Sequence, residues 1–311
     1  MSDILFERTS FLSADGKTDV AAYFWYAADA KPRAIIQLSH GMCEYILRYD
    51  AWARRFAEAG YVFCGNDHLG HGNTAPSKHE LGFMAKRGGE KLLVEDTHTM
   101  TLLAKEKFPD IPLVLYGHSM GSFVARAYLT RYGDELAGAL ISGTAGPGQP
   151  TGAAKKLSHV VEAMRGDHHR SNLLTAIAFG SYNKKFQKEK CILSWLSRDE
   201  NQRAAYADDP FCTFVFTTAG YDTLFSLLAE VSDKKWAAGV PKELPILLFA
   251  GDMDPVGNYG KGVRVVYDRL VKAGCNAQLQ LYEGARHEVH NETNKDEVFA
   301  DLIGYLEEIL K

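Results

Sequence analysis

The feature that most constrains the fold of this chain is a serine framed by two glycines, in the sequence Gly-His-Ser-Met-Gly at positions 117–121. It follows an apolar run at 113–116 and precedes a helix-like stretch that reaches Leu129. The two glycines carry no Cβ, so the chain can make a sharp strand-to-helix turn around Ser119. The pattern therefore predicts a serine hydroxyl exposed at a sheet edge, beside the positive end of a helix dipole.

The order of the other segments predicts an α/β protein. Two β-rich runs at 4–12 and 19–27 are joined through an Asp-Gly turn, which is typical of an antiparallel hairpin. From residue 34 to residue 141, strand-like and helix-like segments alternate. This alternation is typical of a parallel, doubly wound sheet with helices on both faces.

The alternation stops at a Gly- and Pro-rich segment, and strand signals return only at 245–250. We therefore predict a core made of residues 1–144 and 241–311, with a helical cap, residues 145–240, inserted over the active face. A plain second helical layer of the core is the alternative. The cap prediction depends on dense aromatic residues and on apolar residues at helical spacing, such as Leu157, Val160, Val161 and Met164.

Two later loops offer the partners that a nucleophilic serine needs. A serine hydroxyl attacks efficiently only when a neutral imidazole takes its proton and a carboxylate orients that imidazole. Asp252 and Asp254 follow the apolar run at 246–250, and His287 follows the run at 277–282. The order Ser, Asp, His suits a parallel sheet, because loops after different strands meet at the same carboxyl edge.

Within each loop one residue is preferred. Asp252 lies close to the strand end and can cap the turn, whereas Asp254, followed by Pro255, has the reach to approach a histidine. His287 lies at the crest of its loop, whereas His290 approaches the final helix. We therefore predict Ser119 as nucleophile, Asp254 as acid and His287 as base.

Acyl transfer also needs two donors for the developing oxyanion. The N–H of Met120, directly after the serine, is one candidate. The N–H of Met42, in a loop that contains Gly41, is the second, although that loop can also be an ordinary strand-to-helix turn. Cys43 lies beside this donor, so we expect bulky thiol reagents to inhibit the protein.

The sequence predicts no metal and no cofactor. His287 and His290 lack the His-Glu-x-x-His pattern of a zinc peptidase. His68 and His71 lie in a glycine-containing loop with no further ligand at suitable spacing, so they are expected to shape that loop.

Charge and cysteine content narrow the choice of partner. The formal net charge is −4 and no block of Lys or Arg is present, which argues against nucleic acid as a partner. The five cysteines form no Cys-x-x-Cys pair, and the first residues lack the basic and apolar segments of a signal peptide. We therefore expect a cytoplasmic protein with a small-molecule substrate and at most transient contact of the cap with a membrane surface.

Together these motifs resemble the α/β-hydrolase superfamily, and specifically its monoacylglycerol lipase and lysophospholipase branch, which is also described as serine aminopeptidase S33-like. The resembling residues are His40-Gly41-Met42, Glu44, Arg48-Tyr49, Asn66-Asp67-His68, Gly70-His71-Gly72, residues 117–121, Asp254, residues 282–287 and, in the cap, residues 195–199. The resemblance implies the α/β-hydrolase fold: a mostly parallel, eight-stranded, doubly wound sheet with a helical cap insertion. It also implies a triad of Ser119, Asp254 and His287 with oxyanion donors at Met42 and Met120.

The predicted function is that of a cofactor-free serine hydrolase that cleaves carboxylic esters of lipid-like acyl chains through an acyl-enzyme on Ser119. Alternatives are a generic carboxylesterase or thioesterase acting on small apolar esters, an aminopeptidase, and a hydrolase-fold binding protein that has lost turnover. A serine at the turn excludes the relatives that use an aspartate nucleophile.

Overall fold

The computed structural model describes residues 3–311, in which eight strands form one sheet. The strands are β1 (Ile4–Leu12), β2 (Asp19–Ala27), β3 (Ile35–Ser39), β4 (Val62–Asn66), β5 (Leu113–His118), β6 (Gly138–Ser142), β7 (Ile246–Gly251) and β8 (Ala277–Tyr282). Their spatial order is β1-β2-β4-β3-β5-β6-β7-β8. Only β2 runs antiparallel to its neighbours, and β3 to β8 are all parallel. The predicted eight-stranded, mostly parallel sheet is confirmed.

Helices cover both faces of this sheet. They are α1 (Asp50–Glu58), α2 (Gly89–Lys107), α3 (Met120–Tyr132), α4 (Thr151–Arg165), α5 (Asn172–Phe179), α6 (Glu200–Asp208), α7 (Thr218–Ser232), α8 (Lys261–Lys272) and α9 (Lys295–Ile309). Side chains alternate along a strand, so Val114 and Tyr116 pack with α1 and α9, whereas Leu113 and Leu115 face α2 and α3. Burial on both sides explains why the central strands are continuous apolar runs.

Helices α4 to α7 form the insertion between β6 and β7. Helix α7 packs against α2 and α3 on one side and against α4 on the other, so it belongs to the covering layer of the sheet as well as to the insertion. Helix α4 buries Ala154, Ser158 and Glu162. Two of the helix-spaced apolar residues that contributed to the cap prediction point outward, since Val160 is 55% and Met164 74% exposed.

Buried Arg126 on α3 holds both ends of the insertion. Its guanidinium donates to the carbonyl oxygen of Ala145 at 2.9 Å, where the insertion begins, and to that of Val231 at 2.5 Å, near the end of α7. The same guanidinium lies 4.4 Å from the ring centroid of Trp236. The backbone on either side of the insertion is therefore tied to one core helix.

None of the helices in residues 3–311 combines the length and the apolar character needed to cross a bilayer.

The turn at Ser119 depends on close backbone packing. A Cβ added to Gly121 would lie 1.9 Å from the carbonyl oxygen of Ser39, and one added to Gly117 would lie 2.5 Å from the carbonyl oxygen of Gly121. Both contacts are with backbone atoms, which cannot rotate away as a side chain can. The glycines thus let α3 start directly against the ends of β3 and β5.

We expect Gly121→Ala to lower the free energy of unfolding by about 3 kcal/mol or more, because the methyl group would force the backbones of α3 and β3 apart. Urea denaturation monitored by circular dichroism measures this loss. Gly304→Ala is the matched control, since Gly304 lies within α9 with no atom within 4 Å of the added Cβ. That substitution should stabilise the protein by roughly 0.5–1 kcal/mol. Equal effects of the two substitutions would contradict the packing argument.

Candidate active site

Ser119 occupies a strained turn between β5 and α3. Its φ of 53° and ψ of −121° are unfavourable for a residue with a side chain. The Ser119 N–H donates to the carbonyl oxygen of Ser142 on the neighbouring strand β6 at 3.0 Å. The turn presents the hydroxyl to a cavity, as the glycine spacing predicted.

The three predicted residues form one hydrogen-bonded chain. Ser119 Oγ lies 2.8 Å from His287 Nε2, and His287 Nδ1 lies 3.0 Å from Asp254 Oδ2. Asp254 is fully buried, and its second oxygen accepts the N–H of Val256 at 2.8 Å. Both oxygens of the acid are thus held in place, and the imidazole lies between the acid and the serine.

The structure brings Asp254, and not Asp252, to the histidine. Asp252 accepts the N–H of Gly284 at 2.8 Å and so caps the turn that follows β8. The loops after β7 and β8 lie so close that a Cβ on Gly251 would be 2.0 Å from the carbonyl oxygen of Ala285. This close approach places the Asp254 carboxylate beside His287.

Two opposing effects determine the proton affinity of His287. Burial alone would lower its pKa, but the Asp254 carboxylate at Nδ1 stabilises the charged imidazole, and the pKa is raised above its ordinary value. The glycine at 143 makes room for the ring, since a Cβ there would lie 3.0 Å from His287 Cε1. The buried imidazole can therefore hold a proton that it takes from Ser119.

The predicted oxyanion donors both line the cavity beside the serine. Met120 is the first residue of α3, and the loop with Met42 comes so close that a Cβ on Gly41 would be 3.0 Å from Ser119 Cβ. No hydrogen bond within residues 3–311 uses the N–H of Met42 or of Met120. The two donors are thus available to a bound oxygen atom.

The histidines near this loop bond to backbone and side-chain groups that shape it. His40 Nδ1 lies 2.8 Å from the carbonyl oxygen of Gly41, and its Nε2 accepts the N–H of His68 at 2.9 Å. His68 Nε2 lies 3.1 Å from Ser39 Oγ. His71 Nδ1 lies 2.9 Å from the carbonyl oxygen of Leu69, so His68 and His71 both bond to groups in or beside their loop, and their role in shaping it stays a prediction.

A buried ion-pair group that sequence reasoning gave no role lies at one end of the cavity. Arg48 donates to Glu44 at 2.8 Å and to both oxygens of Glu288 at 2.9 and 3.0 Å. Glu44 also accepts the hydroxyl of Tyr49 at 2.9 Å and the N–H of Gly41. Because the carboxylate binds Gly41, it holds the loop that carries Met42.

The two carboxylates of this group respond differently to burial. Burial raises the pKa of Glu44, and Arg48 offsets only part of that effect. Burial would also raise the pKa of Glu288, but the two-point contact with Arg48 outweighs it and lowers that pKa. Glu44 lies four residues before Arg48, whereas Glu288 is distant in the sequence and becomes a partner only in the fold.

The cavity above Ser119 has a volume of about 630 Å³. Its walls are mostly apolar and come from α3, from α7 and from the other segments of the insertion. Examples are Phe123, Phe179, Trp195, Phe214, Leu224 and Leu228. The insertion therefore roofs the serine with apolar side chains.

Part of the insertion is bonded to the loop of His287. The N–H of His287 donates to the carbonyl oxygen of Trp195 at 3.3 Å, and the Trp195 ring lies 5.1 Å from the imidazole. Arg198 donates to Glu292 at 2.8 Å, and Arg286 forms a second ion pair with Glu189. Sequence reasoning noted residues 195–199 only for their resemblance to relatives and missed this contact.

Cys43 differs from the expectation of a reactive thiol. It lines the cavity, but its side chain is buried and donates to the carbonyl oxygen of Phe214 at 3.1 Å. Burial raises its pKa well above that of a free thiol, which disfavours the nucleophilic thiolate. The expectation of ready attack by bulky thiol reagents is thus not supported by the surroundings of this residue.

Comparison with known proteins agrees with this arrangement. Residues 30–294 match the model of the family described as serine aminopeptidase, S33. The chain is 29% identical over 287 residues to a monoacylglycerol lipase of Mycolicibacterium smegmatis, with 91% of each chain covered. It is 25% identical to the human monoglyceride lipase, covering 90% of this chain and 83% of that protein.

Among solved structures, a thermostable carboxyl esterase from Bacillus coagulans, in complex with glycerol, is 32% identical. It superposes with a TM-score of 0.92 and covers 98% of this chain and 99% of that chain. The chain therefore belongs to the serine aminopeptidase S33 family of α/β-hydrolases, in the branch of the monoacylglycerol lipases, and is a serine ester hydrolase.

Proposed function

We propose that this chain hydrolyses carboxylic esters of apolar acyl chains, of the monoacylglycerol type, through an acyl-enzyme on Ser119. The observation that carries the proposal is the hydrogen-bonded chain Ser119–His287–Asp254 beneath an apolar cavity of about 630 Å³. A volume of this size suits a ligand of the dimensions of a lipid ester.

In the first half of the reaction, Ser119 Oγ attacks the carbonyl carbon of the ester and His287 Nε2 takes the hydroxyl proton. The negative charge on the carbonyl oxygen is stabilised by the N–H groups of Met42 and Met120. The bond to the alcohol then breaks, and the alcohol oxygen leaves with the proton from His287. Asp254 stays ionised and stabilises the imidazolium.

In the second half, a water molecule attacks the acyl carbon while His287 takes one of its protons. The bond to Ser119 breaks, the proton returns to Oγ, and the carboxylic acid is released. The packed turn that holds Ser119 and the contact of His287 with Asp254 keep the reacting atoms aligned in both halves.

The charges around the cavity favour an uncharged alcohol. Glu44 and Glu288 carry two negative charges against the single positive charge of Arg48, so a phosphate head group would meet a net negative end. A neutral glycerol-like alcohol, which can both donate and accept hydrogen bonds, fits best.

We assign to residues 145–240 the role of a cap that covers the acyl chain. This role is supported by the apolar roof above Ser119 and by the exposed apolar residues on α4, which can meet a lipid surface as substrate enters.

Substitution of Ser119 by Ala should reduce ester turnover by about 10⁴-fold or more with the fold intact, because no other group can form the acyl-enzyme. Hydrolysis of a p-nitrophenyl ester measures turnover, and circular dichroism checks the fold. An alkyl fluorophosphonate should add to one site in the wild type, within the peptide that contains Ser119, and should not label the variant. Labelling of another residue with loss of activity would overturn the assignment.

The pH profile should report His287. The base must be neutral, and its pKa is raised, so kcat/KM should be low in acid and rise with pH to half its maximum above pH 6.5.

Asp254→Asn should lower kcat by up to about 10⁴-fold and move the midpoint of the pH profile to lower pH, since burial then acts on His287 without the carboxylate. Asp252→Asn is the control and should keep both the rate and the midpoint. A larger loss in the control would make Asp252 the acid.

Acyl-chain preference should depend on the cavity. Each CH₂ that the cavity buries contributes up to about 0.8 kcal/mol, or about fourfold in kcat/KM, until the cavity is full. Ala178→Trp, on α5 at the wall, should shift the optimum to shorter chains. Ala176→Trp, exposed on the same helix, should not. Measuring kcat/KM for a series of monoacylglycerols of increasing chain length tests this preference. Highest activity on acetyl esters would instead indicate a generic carboxylesterase.

A further inference from the structure

A cluster of three side chains outside the active site has the composition of a metal site. His79 and Glu80 lie in the long loop between β4 and α2, and His168 lies in the turn between α4 and α5. One ligand atom from each residue lies within 4.8 Å of the others. Two imidazoles and one carboxylate are a ligand set that suits zinc and its neighbours better than magnesium or calcium.

Both imidazoles of this cluster lie close to the Glu80 carboxylate. His168 Nε2 lies 3.1 Å from Glu80 Oε2, and His79 Nδ1 lies 3.4 Å from Glu80 Oε1. Ligand atoms placed tetrahedrally about 2.0–2.1 Å from a zinc ion are roughly 3.3–3.4 Å apart. The two imidazole nitrogens contact different oxygens of Glu80 in this structure, so binding of one ion by all three residues requires side-chain rotation.

His168 is already oriented as a ligand. Its Nδ1 lies 2.8 Å from Asp167 Oδ1, which leaves Nε2 directed towards Glu80. Its ring stacks on Phe83 at 4.0 Å between centroids. A carboxylate behind a histidine is the usual support of a metal-bound imidazole, because it fixes the tautomer and raises the basicity of the ligand.

A bound cation also suits the charges of His79, Glu80 and His168. The rings of His79 and His168 are stacked 5.3 Å apart and share the carboxylate of Glu80. If both rings were protonated they would repel each other, whereas two neutral rings and a carboxylate provide three acceptors for one ion. The side chains are 76% (His79), 32% (Glu80) and 31% (His168) exposed, so an ion can enter and water can complete its coordination.

We propose that His79, Glu80 and His168 bind one divalent cation of the zinc type and that this ion clamps the insertion to the core. The two loops already meet, since Arg170 donates to the carbonyl oxygen of His79 at 3.0 Å and to that of Val215. Val215 lines the cavity above Ser119. The ion is structural: it joins the end of α4 to the core and has no part in the ester chemistry.

Titration of the tag-free, metal-stripped protein with ZnCl₂ in a calorimeter tests the site. We expect one ion per chain, with affinity lowered at least about 10-fold in His168→Gln and about 10-fold in Asp167→Asn. His98→Gln is the matched control, because His98 also pairs with a carboxylate, that of Glu135 at 3.1 Å, and stacks on Tyr132. It should bind zinc as the wild type does.

Thermal denaturation supplies the second readout. Zinc should raise the Tm of the wild type and of His98→Gln with the same concentration dependence as binding, and should raise that of His168→Gln only at a zinc concentration at least about 10-fold higher. Equal concentrations of Mg²⁺ or Ca²⁺ should leave the Tm unchanged. The site is refuted if zinc does not bind with one-to-one stoichiometry, or if His168→Gln binds it as tightly as the control does.

Discussion

The parallel register of the central strands is the constraint on which the candidate site depends. Strands β3, β5, β7 and β8 all end at the same edge of the sheet, so the loops that follow them meet there. Each loop carries one residue of the candidate site: Met42, Ser119, Asp254 or His287. Because parallel strands cannot slide without breaking their hydrogen bonds, the relative positions of these residues are set by the whole sheet.

Close backbone approaches at glycines then bring the loops within hydrogen-bond distance. Gly121 lets α3 start against the end of β3, and Gly251 lets the loops of Asp254 and His287 touch. The close approach of the loops also buries charged side chains. Asp254 is paired with His287, and Arg48 is paired with two carboxylates, so each charge that leaves water gains a partner.

The insertion is joined to this edge in two different ways. Around residues 189–198 it is bonded to the loop of His287 by ion pairs and backbone hydrogen bonds. At α4 it exposes Val160 and Met164 to solvent, and Pro150 and Ala154 at the start of this helix line the cavity. The first part contacts the loop of His287, and the second part packs on α7 and is joined to the core by the ion pair of Glu162 with Arg87.

Local patterns predicted much of this architecture. Strand and helix positions, the turn at Ser119 and the order of serine, acid and histidine depend on short-range preferences and on periodicity, which are readable in one sequence. The preference for Asp254 over Asp252 could also be argued from reach. The outward face of α4 was not predicted, because an apolar stripe shows only that a helix has two faces and not what lies beside each of them.

The sequence by itself thus determined the fold class, and it predicted the serine, the acid and the histidine that the fold brings within hydrogen-bond distance of one another. Only the tertiary structure decided which distant residues meet. The pairing of Arg48 with Glu288, the contact of Trp195 with His287, the burial of the Cys43 thiol and the meeting of His79 with His168 all join segments far apart in the chain. Such contacts depend on how loops cross at the sheet edge, and that geometry arises from packing of the whole chain and leaves no periodic signal in the sequence.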